Sequence, residues 1–178
     1  MVKQIRMRWV LLIMLLSLGI ASLWDKFPAI KNSVHYILDP SAGFLLNWNL
    51  AIGMSIIVLI ITILTTIIQK YTTDQKTLKE HRDEQKEIQK QIKENKNNPQ
   101  KIMELQKKQW AGFPKQFKLN MVSIVYTGVP FILLFRWFND YFISNGNIKI
   151  FGFLGWFWFY LIASIIFSSI LKKWIKVY

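Results

Sequence analysis

Reactive side chains are few in this chain. It has no cysteine, and its two histidines, His35 and His81, lie in separate segments. A thiol nucleophile, a disulfide and a thiolate metal site are excluded, and a zinc site or histidine-based triad would be hard to assemble. No covalent catalysis, metal or cofactor is expected. What recurs is a set of hydroxyl and amide side chains set into apolar sequence: Thr62, Thr65, Thr66 and Gln69; then Asn120, Ser123, Tyr126 and Thr127; then Tyr160, Ser164 and Ser168, with Ser169 beside them. On a helix turning about 100° per residue, the first group falls within roughly 100° and Asn120, Ser123 and Thr127 within about 60°. Tyr160, Ser164 and Ser168 recur at every fourth position and share a face. Such groups do not react; they form hydrogen bonds and hold water.

The elements that carry them are apolar blocks. Hydrophobic residues make up 52% of the 178, and they gather in four stretches: 9–24, 44–68, 120–140 and 150–171. The last three are long enough to cross a bilayer. The first covers roughly 24 Å, short of a hydrocarbon core of about 30 Å. A cleaved signal peptide fits it too, but Trp9 and Trp24 favour a retained anchor with interfacial aromatic belts.

The net charge of +13 is distributed by side. Lys3, Arg6 and Arg8 precede the first block, and Lys172, Lys173 and Lys176 follow the fourth; between blocks two and three, 13 Lys/Arg face 7 Asp/Glu. The two remaining loops are neutral. Positive charge on alternate sides of successive spans places both termini and the long loop in the cytoplasm. The surplus serves topology rather than specific DNA binding, and it is available to anionic lipid heads or ribosomal RNA.

The fold expected is therefore an all-α membrane protein, with three core transmembrane helices, one N-terminal hydrophobic helix and a cytoplasmic antiparallel hairpin between core spans one and two. The segments are an anchor or signal-like helix with an external loop (1–43), core span 1 (44–69), a coiled-coil hairpin (70–118), core span 2 (119–139), an external loop (140–149), and core span 3 with a basic tail (150–178). Within the hairpin, one helix covers 70–96. A second starts at Pro99 after the cap Asn98 and stops before Gly112-Phe113-Pro114. The seam between them is thin: Leu78, Ile88 and Ile92 against Ile102, Met103, Leu105 and Trp110, with His81 and Gln85 in core positions. Ile88, Ile92 and Met103 are the candidates for contact with a partner.

With topology set, the three polar stripes lie in the cytoplasmic half of their spans. Lipid penalises unpaired polar groups, so a shared, water-holding groove open to the cytoplasm is the expected arrangement. The outer halves are filled with Trp, Phe, Ile and Leu, which closes it before the far side. The competing reading is that Ser and Thr bond their own backbone carbonyls or serve as small residues at helix contacts. Gly128 and Pro130 are expected to kink the third block. Arg136 has two readings: a pair with Asp140, or a charge that contacts an acidic client segment.

This order of span, charged hairpin and two further spans, with segments such as "TGVPFILLFRWF", resembles the archaeal YidC-like proteins of the YidC/Oxa/Alb insertase superfamily, whose relatives include the third subunit of the ER membrane protein complex. The resemblance covers 44–171. It implies a membrane insertase or chaperone for nascent transmembrane segments, with Thr62, Thr65, Asn120, Ser123, Thr127 and Ser164 lining the groove; Thr66, Gln69, Tyr126 and Ser168 extend that lining by pattern. The implied partners are nascent membrane proteins, the ribosome, anionic lipids and partner membrane subunits, and the implied location is the cell membrane. Two features depart from the family plan: the first core span lacks the groove arginine of many bacterial members, and an extra apolar block precedes the core. A structural subunit of a membrane complex is the alternative. A small ion channel is weaker, because the spans at 44–69, 119–139 and 150–171 hold no Asp or Glu.

Overall fold

The computed structural model describes residues 7–175 and 177, with the side chains of Met7, Arg8, Trp9, Lys115, Asn120 and Val122 outside that description. Lys3, Arg6 and Lys176, counted in the charge pattern, also lie outside the described residues, as does the side chain of the expected belt residue Trp9.

The described chain is helical. Helix α1 is Met7–Ser22, followed by a single 3-10 turn, Trp24–Lys26; α2 is Pro28–Leu38, leading through a π-helical turn, Asp39–Gly43, into α3, Phe44–Trp48. Then come α4, Leu50–Thr72; α5, Gln75–Glu94; α6, Pro99–Ser144; and α7, Trp156–Ile175. Helices α4 and α7 are long and apolar enough to cross a membrane. The two parts of α6, Pro99–Leu119 and Ser123–Ser144, bend by 72° and make a third span if taken together. The apolar part of α1, Val10–Ser22, is shorter.

Capping explains where helices begin. Asn49 is extended (φ −157°, ψ 117°), and its side chain accepts from the Ile52 amide at 3.0 Å, starting α4. Asp74 accepts from the Lys76 and Thr77 amides and starts α5. Asn98 accepts from the Lys101 amide at 3.1 Å, with Pro99 at the first helical position, as its sequence indicates.

Several expected boundaries move. Block 44–68 is not one helix: it breaks at Asn49 because α3 folds back against α4, where a Cβ on Gly53 would stand 2.2 Å from the Leu45 carbonyl oxygen. The span begins at Leu50. The charged hairpin has a break at 73–74 rather than a helix starting at 70. Helix α6 does not stop before Gly112. Gly112 lies inside it, where a Cβ would meet Gln85 Nε2 at 2.4 Å and His81 Cε1 at 2.8 Å, so its missing side chain lets α5 approach. The bend falls between Leu119 and Ser123, ahead of Gly128 and Pro130. The loop expected at 140–149 is partly helix, because α6 runs on to Ser144; Gly146 (φ 75°) then closes the end, with the Asn147 amide reaching Phe142 O at 2.7 Å. Helix α7 starts at Trp156, not 150. The stretch expected as an external loop before residue 44 contains α2.

The core gathers at one end. Leu46, Met54, Ile57, Val58, Trp137, Phe138, Phe142, Ile150, Phe159 and Tyr160 belong to one buried cluster from α3, the first half of α4, the last turns of α6, the loop that follows it and the start of α7. Rings meet edge to face there, as Phe135 and Tyr160 do at 4.9 Å. A polar knot sits beside it. Asp140 accepts from Trp24 Nε1 at 2.8 Å and meets Lys31 Nζ at 3.1 Å and His35 Nε2 at 3.3 Å, while Asp39 accepts from Trp137 Nε1 at 2.7 Å. These bonds hold α2 against α6.

Candidate functional site

Away from that packed end, α4 and α7 diverge enough to leave a trough of about 390 Å³. Its walls are Thr62 and Thr65 from α4 and Tyr160, Ser164, Ile165, Ser168, Ser169 and Lys172 from α7, with Phe131 from α6. Tyr160 and Phe131, ring centroids 6.2 Å apart, stand where the trough meets the aromatic core. Bulky rings therefore shut one end while the Lys172 end stays open.

Several of the hydroxyl protons are already used. Thr62 Oγ1 donates to Val58 O at 2.6 Å, Thr65 Oγ1 to Ile61 O at 2.9 Å and Ser164 Oγ to Leu161 O at 2.9 Å. Backbone bonding and a shared concavity are thus compatible. Each oxygen donates to its own helix and keeps lone pairs for an incoming donor, such as water or a peptide N–H. The wall sets these acceptors among the apolar Phe131 and Ile165 and is uncharged until Lys172.

At Ser169 and Lys172 the trough opens into a wider cup of about 750 Å³ under the α5–α6 pair. Its lining includes Gln69, Gln85, Gln89, Gln109 and Gln116 together with His81, Arg82, Lys172 and Lys173. Sequence reasoning read these lysines for topology and as part of a surplus available to anionic lipid heads or ribosomal RNA, and it missed the cup. It forms where side chains of α5, α6 and the end of α7, far apart in sequence, line one cavity.

The expected site residues divide accordingly. Thr62, Thr65, Ser164 and Ser168 line the trough, and Gln69 lines the cup. Thr66 is buried at 2% exposure and bonds Thr62 O instead. The third stripe does not join: Thr127 donates to Ser123 O at 3.0 Å, Tyr126 is 54% exposed, and neither they nor Ser123 line the trough. The side chain of Asn120 lies outside the described residues. The α6 contribution is Phe131, one turn after Thr127. Arg136 is not at the trough either. Its Nη2 donates to the carbonyl of Ala21, in the last turn of α1, so the expected Arg136–Asp140 pair is absent. In the hairpin, Leu78, His81, Ile88 and Leu105 are buried and Ile92 is half-buried; Met103 and Trp110, placed in the seam by sequence, are 59% and 74% exposed. Of the three hairpin contact candidates, Met103 alone faces outward.

Helices this apolar, closed at one end by an aromatic core and open at a basic end, define an integral membrane protein. A family model described as integral membrane protein EMC3/TMCO1-like matches residues 35–161, well over half the chain. The chain belongs to that family, which lies in the YidC/Oxa1/Alb3 insertase-related superfamily and is tied to membrane protein insertion and membrane complexes. No curated protein and no solved structure matches the chain. Helix α1 precedes the matched segment.

Proposed function

We propose that this protein is an insertase of the archaeal YidC-like kind, guiding nascent transmembrane segments into the cell membrane. The observation that carries the reading is the trough itself: acceptor oxygens on α4 and α7, sealed at the aromatic end and open at the basic end. A bare charge at mid-bilayer costs from about 2.5 to over 10 kcal/mol, depending on the reference. A wetted path through half the depth removes part of that barrier for a client's polar flank. Partitioning of the client's apolar segment supplies the energy.

In this reading the chain is multi-pass, with both termini and the α5–α6 hairpin in the cytoplasm, where the basic surplus collects. Nascent chains enter from the hairpin side, where Met103 faces outward to meet the ribosome or the client. Anionic lipids and partner membrane subunits surround it. No covalent step is involved.

The test is reconstitution. Purified protein in liposomes inserts a labelled client with a short polar flank, and the triple variant Thr65→Leu, Ser164→Leu, Ser168→Leu lowers the rate by about tenfold with helicity unchanged. Three lost polar contacts of about 0.6 kcal/mol each give a loss of that order. Insertion by the triple variant at the parent rate rejects the trough as the path. Passive ion flux that matches the insertion rate would favour a channel instead.

A further inference from the structure

The cup beside the trough carries an unneutralised charge. Arg82 from α5 and Lys172 and Lys173 from α7 line it, and no carboxylate lines it among the described residues. Arg82 and Lys172 line the same cavity although they come from different helices. None of the three has an ion-pair partner among the described residues, in a molecule where Lys31, Lys101 and Lys108 all do. Like charges brought together without a counter-ion repel, weakly where they are exposed as Arg82 and Lys173 are, and a bound anion relieves that repulsion.

A second observation comes from His81. It is 97% buried on the cup wall, and neither ring nitrogen has a hydrogen-bond partner; the nearest acid, Glu84, stands 3.6 Å from Nδ1. Buried polar atoms without partners are uncommon, and each calls for a group that completes it. The surrounding Gln85, Gln89 and Gln109 add amide donors. Three cations, several amide N–H groups and an unpartnered imidazole suit a group with many oxygens and negative charge. The cup also sits where the apolar runs of α4 and α7 end, and Trp174, next in sequence to Lys173, is 81% exposed, as suits an aromatic residue at a water–lipid boundary. Lipid phosphates lie at that depth.

We propose that this cup, formed by Arg82, Lys172, Lys173 and His81, is a binding site for a phosphate group, carried by an acidic phospholipid headgroup or free in solution. Arg82 and the two lysines neutralise the charge, and entry of the phosphate gives His81 a partner. A headgroup held there closes the mouth of the trough and brings its acyl chains alongside the exposed Ile165 and Ile170 of α7. The site rests on the orientation given above only in assigning it to the cytoplasmic leaflet; binding in detergent does not depend on insertion.

The experiment uses the full chain, delipidated in a neutral detergent. Phosphatidylglycerol and phosphatidylcholine are titrated in separately and retained lipid is counted by native mass spectrometry. The His81 imidazole signals, assigned with His35→Gln, are followed by NMR, and a third arm adds inorganic phosphate. The expected result is one phosphatidylglycerol retained about tenfold more tightly than phosphatidylcholine, with a shift of the His81 signals. Arg82→Gln with Lys172→Gln weakens it by about tenfold or more, the loss expected on removing charge-assisted hydrogen bonds. Lys173→Gln alone, a milder change on an exposed side chain, weakens it severalfold and serves if the double variant does not fold. Inorganic phosphate that shifts His81 and displaces the lipid shows that the phosphate itself is read; a response to phosphatidylglycerol alone shows that the acyl chains are needed as well. Equal retention of the two lipids, a His81 signal that neither probe moves, or binding unchanged in the folded variants overturns the site. So does binding of an acidic peptide where neither phosphate source binds.

Discussion

Arg136 donates to the backbone carbonyl of Ala21, while Asp140, one turn further along α6, takes its hydrogen bonds from Trp24, Lys31 and His35. Two residues spaced to pair with each other are instead shared out between α1 and the segment that follows it. The guanidinium satisfies a carbonyl at the end of α1 that has no helical donor of its own. Arg136 thus acts as a tether for α1.

Replacing Arg136 by Leu leaves that carbonyl unpaired, a loss of about 1–3 kcal/mol. Ser17 Oγ lies 3.8 Å from where a Cβ on Gly128 would stand, so a Ser17→Cys, Gly128→Cys pair reports the α1–α6 contact. We expect the disulfide to form readily in the parent and about tenfold more slowly in the Arg136→Leu background. Equal rates would show that α1 is held by other contacts.

The trough assignment predicts a contrast between stripes. Ser123→Leu with Thr127→Leu changes two polar residues at similar depth that do not line the trough, and insertion should stay within about a factor of two, under 0.5 kcal/mol of barrier. The α4–α7 triple variant described above loses far more. Equal losses from both sets would mean that the rates follow general span polarity.

Gly53 sets the corner between α3 and α4. Gly53→Ala forces its methyl into the Leu45 backbone, which cannot yield as a side chain would. Asn49→Ala removes only a cap, at a cost of about 1 kcal/mol. Thermal unfolding in detergent, followed by circular dichroism, should therefore show a larger drop for Gly53→Ala than for Asn49→Ala. The reverse order would place the strain elsewhere.

Acid should fray the start of α5. The Thr77 hydroxyl and amide, with the Lys76 amide, hold the Asp74 carboxyl below its ordinary value of 3.8. A carboxyl whose pKa falls on folding stabilises the fold above its unfolded value, and that contribution disappears as pH drops through the folded one. Amide exchange at Lys76 and Thr77 should accelerate below about pH 3.8 in the parent. Asp74→Asn caps without titrating, so its exchange should lack that step. An identical acid response in the two proteins would assign the fraying to other carboxyls.

Much was decided by composition along the chain. Apolar runs marked the helices that reach membrane length, the pairing of Asn98 with Pro99 marked the start of α6, and the placement of Thr62, Thr65, Ser164 and Ser168 marked a polar zone at one end of two spans. These are local properties: hydropathy, capping and helical period each act within a few residues. Tertiary structure alone decided which faces meet. A helix's own sequence specifies that Ser123 and Thr127 share a face, but not that α6 turns Phe131, rather than that stripe, into the trough; rotation about the helix axis is set by neighbours. The break at Asn49, the bend between Leu119 and Ser123, the Arg136–Ala21 bond and the cup under α5 have the same origin. Each depends on contacts between residues far apart in sequence, whose free energy exists only once the helices are packed.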